Sequence, residues 1–197
     1  MHSGLTTFLA YLLAGVLLIA AIVTIATYNR LVTLKNRYLN AMSQIDVQLK
    51  RRHDLVPSLV ESARAYLSHE QSTLEEIARL RAAAFGGLSQ SPKALKTAPA
   101  ETIQNDLALS SAMGHLSAVM ESYPNLKADR TVASLMEDLS SVENRISFAR
   151  QSYNDAVMEY NQTRESFPAH MFASMLGFGL AWHWWAEPAS RSRPAVS

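Results

Sequence analysis

The densest run of ionisable and amide side chains in this 197-residue chain is Ser43 to Asp54, SQIDVQLKRRHD. Lys50, Arg51, Arg52 and His53 are consecutive there. On a helix, neighbours are about 100° apart, so these four wrap the cylinder instead of forming one basic stripe. Two readings follow. Either Arg51 or Arg52 pairs inside a set of packed helices while the others are solvated, or the run is a contact site for an acidic partner. A second polar set lies further on. Tyr153–Asn154 and Tyr160–Asn161 recur seven residues apart and so fall on the same helical faces. Tyrosine can pack a seam with asparagine setting register, or the two asparagines can form a ladder against another subunit. Glu143 and Asn144 interrupt the same segment beside its apolar positions, and Glu143 is expected to pair with Arg51 or Arg52. The recognition candidates are therefore Gln44, Asp46, Gln48, Lys50, Arg51, Arg52, Asp54, Glu143, Asn144, Asn154 and Asn161.

No pattern for catalysis accompanies them. His69–Glu70 opens like a zinc-protease helix, but Thr73 stands where the second histidine is required. No Glu-x-x-His pair of the kind that holds two metals in a bundle is present. Gly86–Gly87 lacks the Gly-Lys-Ser/Thr of a phosphate-cradling loop, and there is no G-x-S-x-G elbow. The chain has no cysteine, which removes disulfides, thiolate metal sites and cysteine nucleophiles. The reading is a non-enzyme with no cofactor and no metal. Eighteen Lys and Arg against seventeen Asp and Glu give a formal charge of +1, far from the basic balance of a nucleic-acid-binding domain.

The elements that must position the polar residues are helices. Charged residues are only 18 % of the chain, below the usual level of about a quarter, which points to a membrane segment. Residues 1–7 form a short N-terminal segment. Phe8 to Tyr28, FLAYLLAGVLLIAAIVTIATY, then carries no formal charge. Its 21 residues would span roughly 31 Å as a helix, the thickness of a bilayer core. A cleaved signal peptide would have a basic leading region and a shorter apolar run. No Lys or Arg precedes the segment, whereas Arg30, Lys35 and Arg37 follow it. The positive-inside rule then places the N-terminus outside and the rest in the cytoplasm.

Beyond the anchor, residues 29–166 read as one helical domain. Leu31, Leu34, Tyr38, Met42, Ile45 and Leu49 step by three and four, the period of a helix with one apolar face. Pro57 either begins a new helix or kinks a continuous one. Apolar spacing resumes at Leu55, Leu59, Ala63, Tyr66, Leu67, Leu74 and Ile77, and this helix is expected to stop at Gly86–Gly87. A loop is expected over 86–100. Ile103, Leu107, Met113, Leu116 and Met120 mark a third helix, and YPNL at Tyr123 a tight corner. Val132, Leu135, Leu139, Val142, Ile146, Ala149, Tyr153, Ala156 and Tyr160 keep a heptad, which predicts coiled-coil-like packing along a long last helix. Residues 167–197 form an apolar tail with all three tryptophans. A second span and an interfacial segment both fit it, as does burial against helices or a partner; tryptophan favours the headgroup level. The fold class is all-α, an elongated up-and-down bundle of four helices after one transmembrane helix, and the aromatic tail's return to the membrane favours four arms over three.

The run YNRLVTLKNRYLNAMSQIDVQLKRRHDLVPSLVE, Tyr28 to Glu61, resembles the signature of the LemA family. MESYPNLKADRTVASLMEDLSSVENRISFARQSYNDAVMEYN, Met120 to Asn161, and FPAHMFASMLGF, Phe167 to Phe178, are similar to its later blocks in the same order. The His-Trp-Trp cluster near the end departs from the family pattern. The resemblance implies a bacterial membrane protein with one N-terminal anchor and an elongated four-helix bundle, and no established enzymatic activity. One branch of the family acts in magnetosome membrane formation, so the resemblance implies a scaffolding or membrane-organising role.

The expected function is a non-enzymatic, membrane-anchored helical scaffold in the bacterial inner membrane or a membrane derived from it. Its partners would be the bilayer, through Phe8 to Tyr28, and further copies or other membrane proteins, with no nucleic acid. The alternative is a regulatory or sensor subunit of a membrane machine such as a protease or transporter, with Asp54–Pro57 as its bistable element.

Overall fold

A computed structural model describes residues 2–67, 70–89 and 100–184. His69, positions 90–99 of the expected loop, and Trp185 lie outside the described residues. The described residues are helical, with no strand among them: α1 His2–Arg64, α2 Gln71–Ser89, α3 Ala100–Met120, α4 Pro124–Ala128, α5 Arg130–Glu165 and α6 Ala169–Ala173. They group into two compact units. The first comprises Met1–Asn40 and Asn154–His183, the second Ala41–Tyr153 and Trp184–Ser197, each over its described residues.

The first unit holds the apolar run. α1 carries the one helix among the described residues that is long and apolar enough to cross a membrane, and none of its most apolar stretch is buried. Beyond it, Leu31 and Leu34 of α1 pack with Tyr160 of α5, Ala169 and Ala173 of α6, and Phe178. Tyr38 and Tyr160 meet edge to face at 5.1 Å. After α6 the chain reverses. Gly177 has φ 78°, and Phe178 N–H bonds back to the Ala173 carbonyl at 2.9 Å. That left-handed turn is the αL stop of a helix end, and glycine adopts it without steric cost.

The second unit is built round one apolar core. Val56, Leu59 and Ala63 of α1, Leu74 and Ile77 of α2, Leu109, Met113 and Leu116 of α3, Leu126 of α4, and Val132 and Leu139 of α5 all enter it. The heptad positions of α5 are its buried face: of the nine, only Leu135 is less than fully buried.

Several boundaries differ from expectation. Pro57 lies inside α1, which runs unbroken from His2 to Arg64. Proline has no N–H for the carbonyl four residues back. That carbonyl belongs to His53, and Arg81 Nε of α2 donates to it at 2.9 Å. A side chain thus supplies the bond that proline withholds. Of the two readings of Pro57, a new helix does not begin there: α1 ends at Arg64, where Ala63 O accepts from Tyr66 N and Leu67 N, and Glu70 O accepts from Thr73 N and Leu74 N at the start of α2. Tyr66 consequently leaves the core. Its hydroxyl donates to Asp129 Oδ2 at 3.0 Å. Gly86–Gly87 does not stop α2, which continues to Ser89, and Ala100, at the other end of the expected loop, is helical. The YPNL corner is a short helix, α4, with Pro124 in its first turn, where a missing N–H costs nothing.

Candidate functional site

The polar residues on the helical stripes converge in the second unit. Arg52 falls on the α1 stripe three residues after Leu49 and four before Val56, which forces its guanidinium into the interior. Its side chain is 3 % exposed. Arg52 Nη1 donates to Asp106 Oδ1 of α3 at 3.1 Å and to Ser110 Oγ at 3.0 Å, and pairs with Glu143 Oε2 of α5 at 3.1 Å. Arg150 of α5 donates to the other Asp106 oxygen. Ser110 Oγ lies 3.2 Å from Glu143 Oε1 and from the Asp106 carbonyl. Two guanidinium groups and two carboxylates balance one another, as buried charge requires. Burial pushes the Asp106 carboxyl above its ordinary value, against the pull of Arg150 and Arg52, with Glu143 adding to the rise. Arg150 also lies over the Trp184 ring at 5.7 Å from its centroid, a cation–π contact. Arg150 Nε is buried without a hydrogen-bond partner.

Of the two pairings read from opposite charges in apolar helices, Glu143 with Arg51 or with Arg52, the structure shows the second, with Glu143 partly exposed. Asp106 and Arg150 were missed. The third-helix reading took Leu107 as the apolar position, whereas Asp106 is the buried residue and Leu107 is half-buried. The signal was available, because Asp106 sits three residues after Ile103 and three before Leu109, on the stripe itself.

A second feature of this unit is a cleft of about 500 Å³ lined by α1 and α5, through Gln44, Gln48, Ser141, Asn144, Arg145 and Phe148. It brings together three of the recognition candidates: Gln44, Gln48 and Asn144. Phe148 is 72 % exposed. Gln48 Oε1 is buried and makes no hydrogen bond. The other candidates of the polar run are dispersed. Lys50, Arg51 and Asp54 are exposed, with Arg51 3.5 Å from Asp138 and Asp54 3.4 Å from His53. Asp46 is half-buried, and burial raises its carboxyl above its ordinary value although Lys50 opposes this.

Asn154 and Asn161 belong to the first unit. Asn161 holds the backbone of the C-terminal segment at two points: Nδ2 donates to Ala181 O at 2.8 Å, and Oδ1 accepts from Ala181 N at 3.0 Å. Tyr160 donates to Gly179 O at 2.8 Å and Arg164 Nε to Phe178 O at 2.7 Å. One face of α5 thus supplies the hydrogen bonds that a non-helical segment lacks internally. The described part of this segment is a five-residue helix followed by a hydrogen-bonded strap, with no helix of membrane-spanning length.

Among the described residues, no group of three or more His, Asp or Glu is arranged to hold a metal ion. Comparison with known proteins finds the LemA family model matching residues 41–197. Magnetosome protein MamQ 2 of Paramagnetospirillum magneticum is 26 % identical over 179 residues, 82 % of this chain and 66 % of that protein. Magnetosome protein MamQ of Magnetospirillum gryphiswaldense is 24 % identical over 190 residues, 87 % and 70 % of the two chains. Protein LemA of Metamycoplasma hominis is 26 % identical over 148 residues, 75 % and 64 %. The chain spans just under two thirds of the length of MamQ 2.

Proposed function

Because the chain belongs to the LemA family, we propose that it is a non-enzymatic, membrane-anchored interaction protein that organises a membrane or a membrane protein complex. The observation that carries the reading is α1. Its Phe8–Tyr28 stretch is apolar and has no buried residue, only Thr24 and Thr27 being half-buried, as a lipid-facing helix would be. The same helix continues as a core element as far as Arg64. Anchor and body are then joined through one helix, suited to holding a helical domain at a membrane. The basic residues Arg30, Lys35 and Arg37 favour a cytoplasmic body and an external N-terminus. The names of the MamQ relatives support a role tied to a membrane compartment.

The surface offered to partners is the α1–α5 cleft with Gln44, Gln48, Asn144 and exposed Phe148. An aromatic anchor beside amide donors and acceptors fits a protein partner. Arg52 and Glu143 hold the second unit's own helices and act by positioning that surface, while Asn161 holds the strap of the first unit. The regulatory alternative needs a bistable element, and its candidate, Asp54–Pro57, lies inside the continuous helix α1, where Arg81 Nε bonds the His53 carbonyl.

Photo-crosslinking residues at Gln44, Asn144 and Phe148, in native membranes, test this reading. Dominant self-adducts would establish a homo-oligomeric scaffold. One dominant foreign protein would establish an accessory subunit. No adduct at any of the three positions, in a chain that resists alkaline extraction, would overturn the assignment of this surface.

A further inference from the structure

Around α6 the first unit exposes large apolar side chains in a regular pattern. Phe167 is 79 % exposed, Met171 59 % and Met175 80 %. Met171 and Met175 are four residues apart on one face of the helical turns that begin at Ala169, and Phe167 precedes them across the cis Phe167–Pro168 bond. Ala169 and Ala173 occupy the opposite face and are buried against Leu31 and Leu34. The segment is therefore amphipathic, and its apolar outer face is uncovered.

Its position gives that face an occupant. Phe178 meets Tyr28, the last residue of the apolar run, edge-on at 5.5 Å. Lys35 Nζ lies 5.8 Å from the centroid of the same Phe178 ring. Ala169 and Ala173 pack on the first two turns of α1 beyond the run. The segment thus sits where α1 would leave the hydrocarbon, if Phe8–Tyr28 spans the bilayer as proposed above. Lys35 and Arg164 both reach Phe178, and Arg30 follows Tyr28 by two residues; basic side chains here suit anionic headgroups. A five-residue helix is far too short to cross, so its place is the interface.

We propose that the turn Phe167–Met175 is a second, monotopic membrane contact, with Phe167, Met171 and Met175 seated in the lipid interface beside the exit of the anchor. The proposal rests on the spanning role of Phe8–Tyr28. Trp184 takes no part in this contact, since it is buried with Arg150 over its ring, whereas Trp182 is exposed.

The absence of native cysteine allows a direct test. Full-length single-cysteine variants Phe167→Cys, Met171→Cys and Met175→Cys are labelled with an environment-sensitive fluorophore. They are reconstituted in phosphatidylethanolamine–phosphatidylglycerol vesicles beside Ile19→Cys in the anchor and Ser141→Cys in the second unit. The expected result is severalfold weaker quenching by aqueous iodide at 167, 171 and 175 than at 141, with clear quenching by brominated lipid. Iodide quenching equal to that at 141, with Ile19→Cys lipid-quenched, would overturn the contact and leave the anchor intact. Failure of lipid quenching at 19 would remove the spanning reading itself. Protection at 167–175 that disappears on dilution with excess lipid would assign the face to a second copy and overturn the lipid contact.

Discussion

His53 and Pro57 are four residues apart on α1, and proline cannot donate to the carbonyl that the helix presents to it. Arg81 donates in its place at 2.9 Å. Arg81→Ala should therefore lower stability by about 1–2 kcal/mol, the worth of a charge-assisted hydrogen bond. In a Pro57→Ala background the restored N–H satisfies the carbonyl, so the same Arg81→Ala change should cost much less. Denaturant unfolding of the four proteins measures this coupling, and additive losses would refute it. The buried charges make a second residue-scale prediction. Asp106 bonds two guanidinium groups, so Asp106→Ala should cost about 3–5 kcal/mol by leaving buried positive charge uncompensated. Joint replacement Arg52→Met with Asp106→Leu should recover part of that loss, because apolar residues of similar volume avoid the desolvation. These charges were half legible. The opposite signs of Glu143 and the Arg51–Arg52 pair in apolar helices announced an ion pair, but one sequence does not reveal which arginine turns inward or which acid on a third helix stands opposite.

Among the elements, α5 was read best. Its heptad depends only on side-chain spacing, and nearly every seam position is buried. Its start was not read. Asp129 accepts from Thr131 N at 2.9 Å and Val132 N at 3.0 Å and receives the Tyr66 hydroxyl, which makes it the N-cap. The Val132 and Tyr66 bonds favour the carboxylate and hold its pKa below the ordinary 3.8. A depressed folded value adds stability above the unfolded pKa and loses it as pH falls through the folded one. Asp129→Ala should thus melt below the parent at neutral pH, with the gap closing in acid below that value. Thermal melts across pH would show it, and a constant gap would refute it. The strap has its own test. Gly177→Ala places a Cβ at φ 78° and should cost about 1 kcal/mol. The loss should appear as faster hydrogen exchange at Ala181 N–H, which bonds Asn161. Gly86–Gly87 misled because two glycines only lower helix propensity. Pro57 left two readings open because its effect depends on whether another group reaches the orphaned carbonyl.

For the molecule as a whole, the proposed topology predicts that a C-terminal epitope is shielded from protease added outside intact spheroplasts and cleaved only after lysis. Cleavage in intact cells would reverse the orientation. Sequence alone determined what depends on local chemistry: an apolar run of membrane-spanning length, all-helical structure from three-and-four spacing, family membership from ordered blocks, and the missing cysteines. Tertiary structure decided what depends on meetings between distant segments. It showed that Arg81 rescues the helix at Pro57. It placed Asp106 and Arg150 at the charge cluster, gathered Gln44, Gln48 and Asn144 into one cleft, and turned Asn161 into a backbone clamp for the strap. The physical reason is range. Helical periodicity is written within a few residues, whereas the partner of a buried charge or an orphaned carbonyl is set by which helix lies opposite, and packing alone makes that choice.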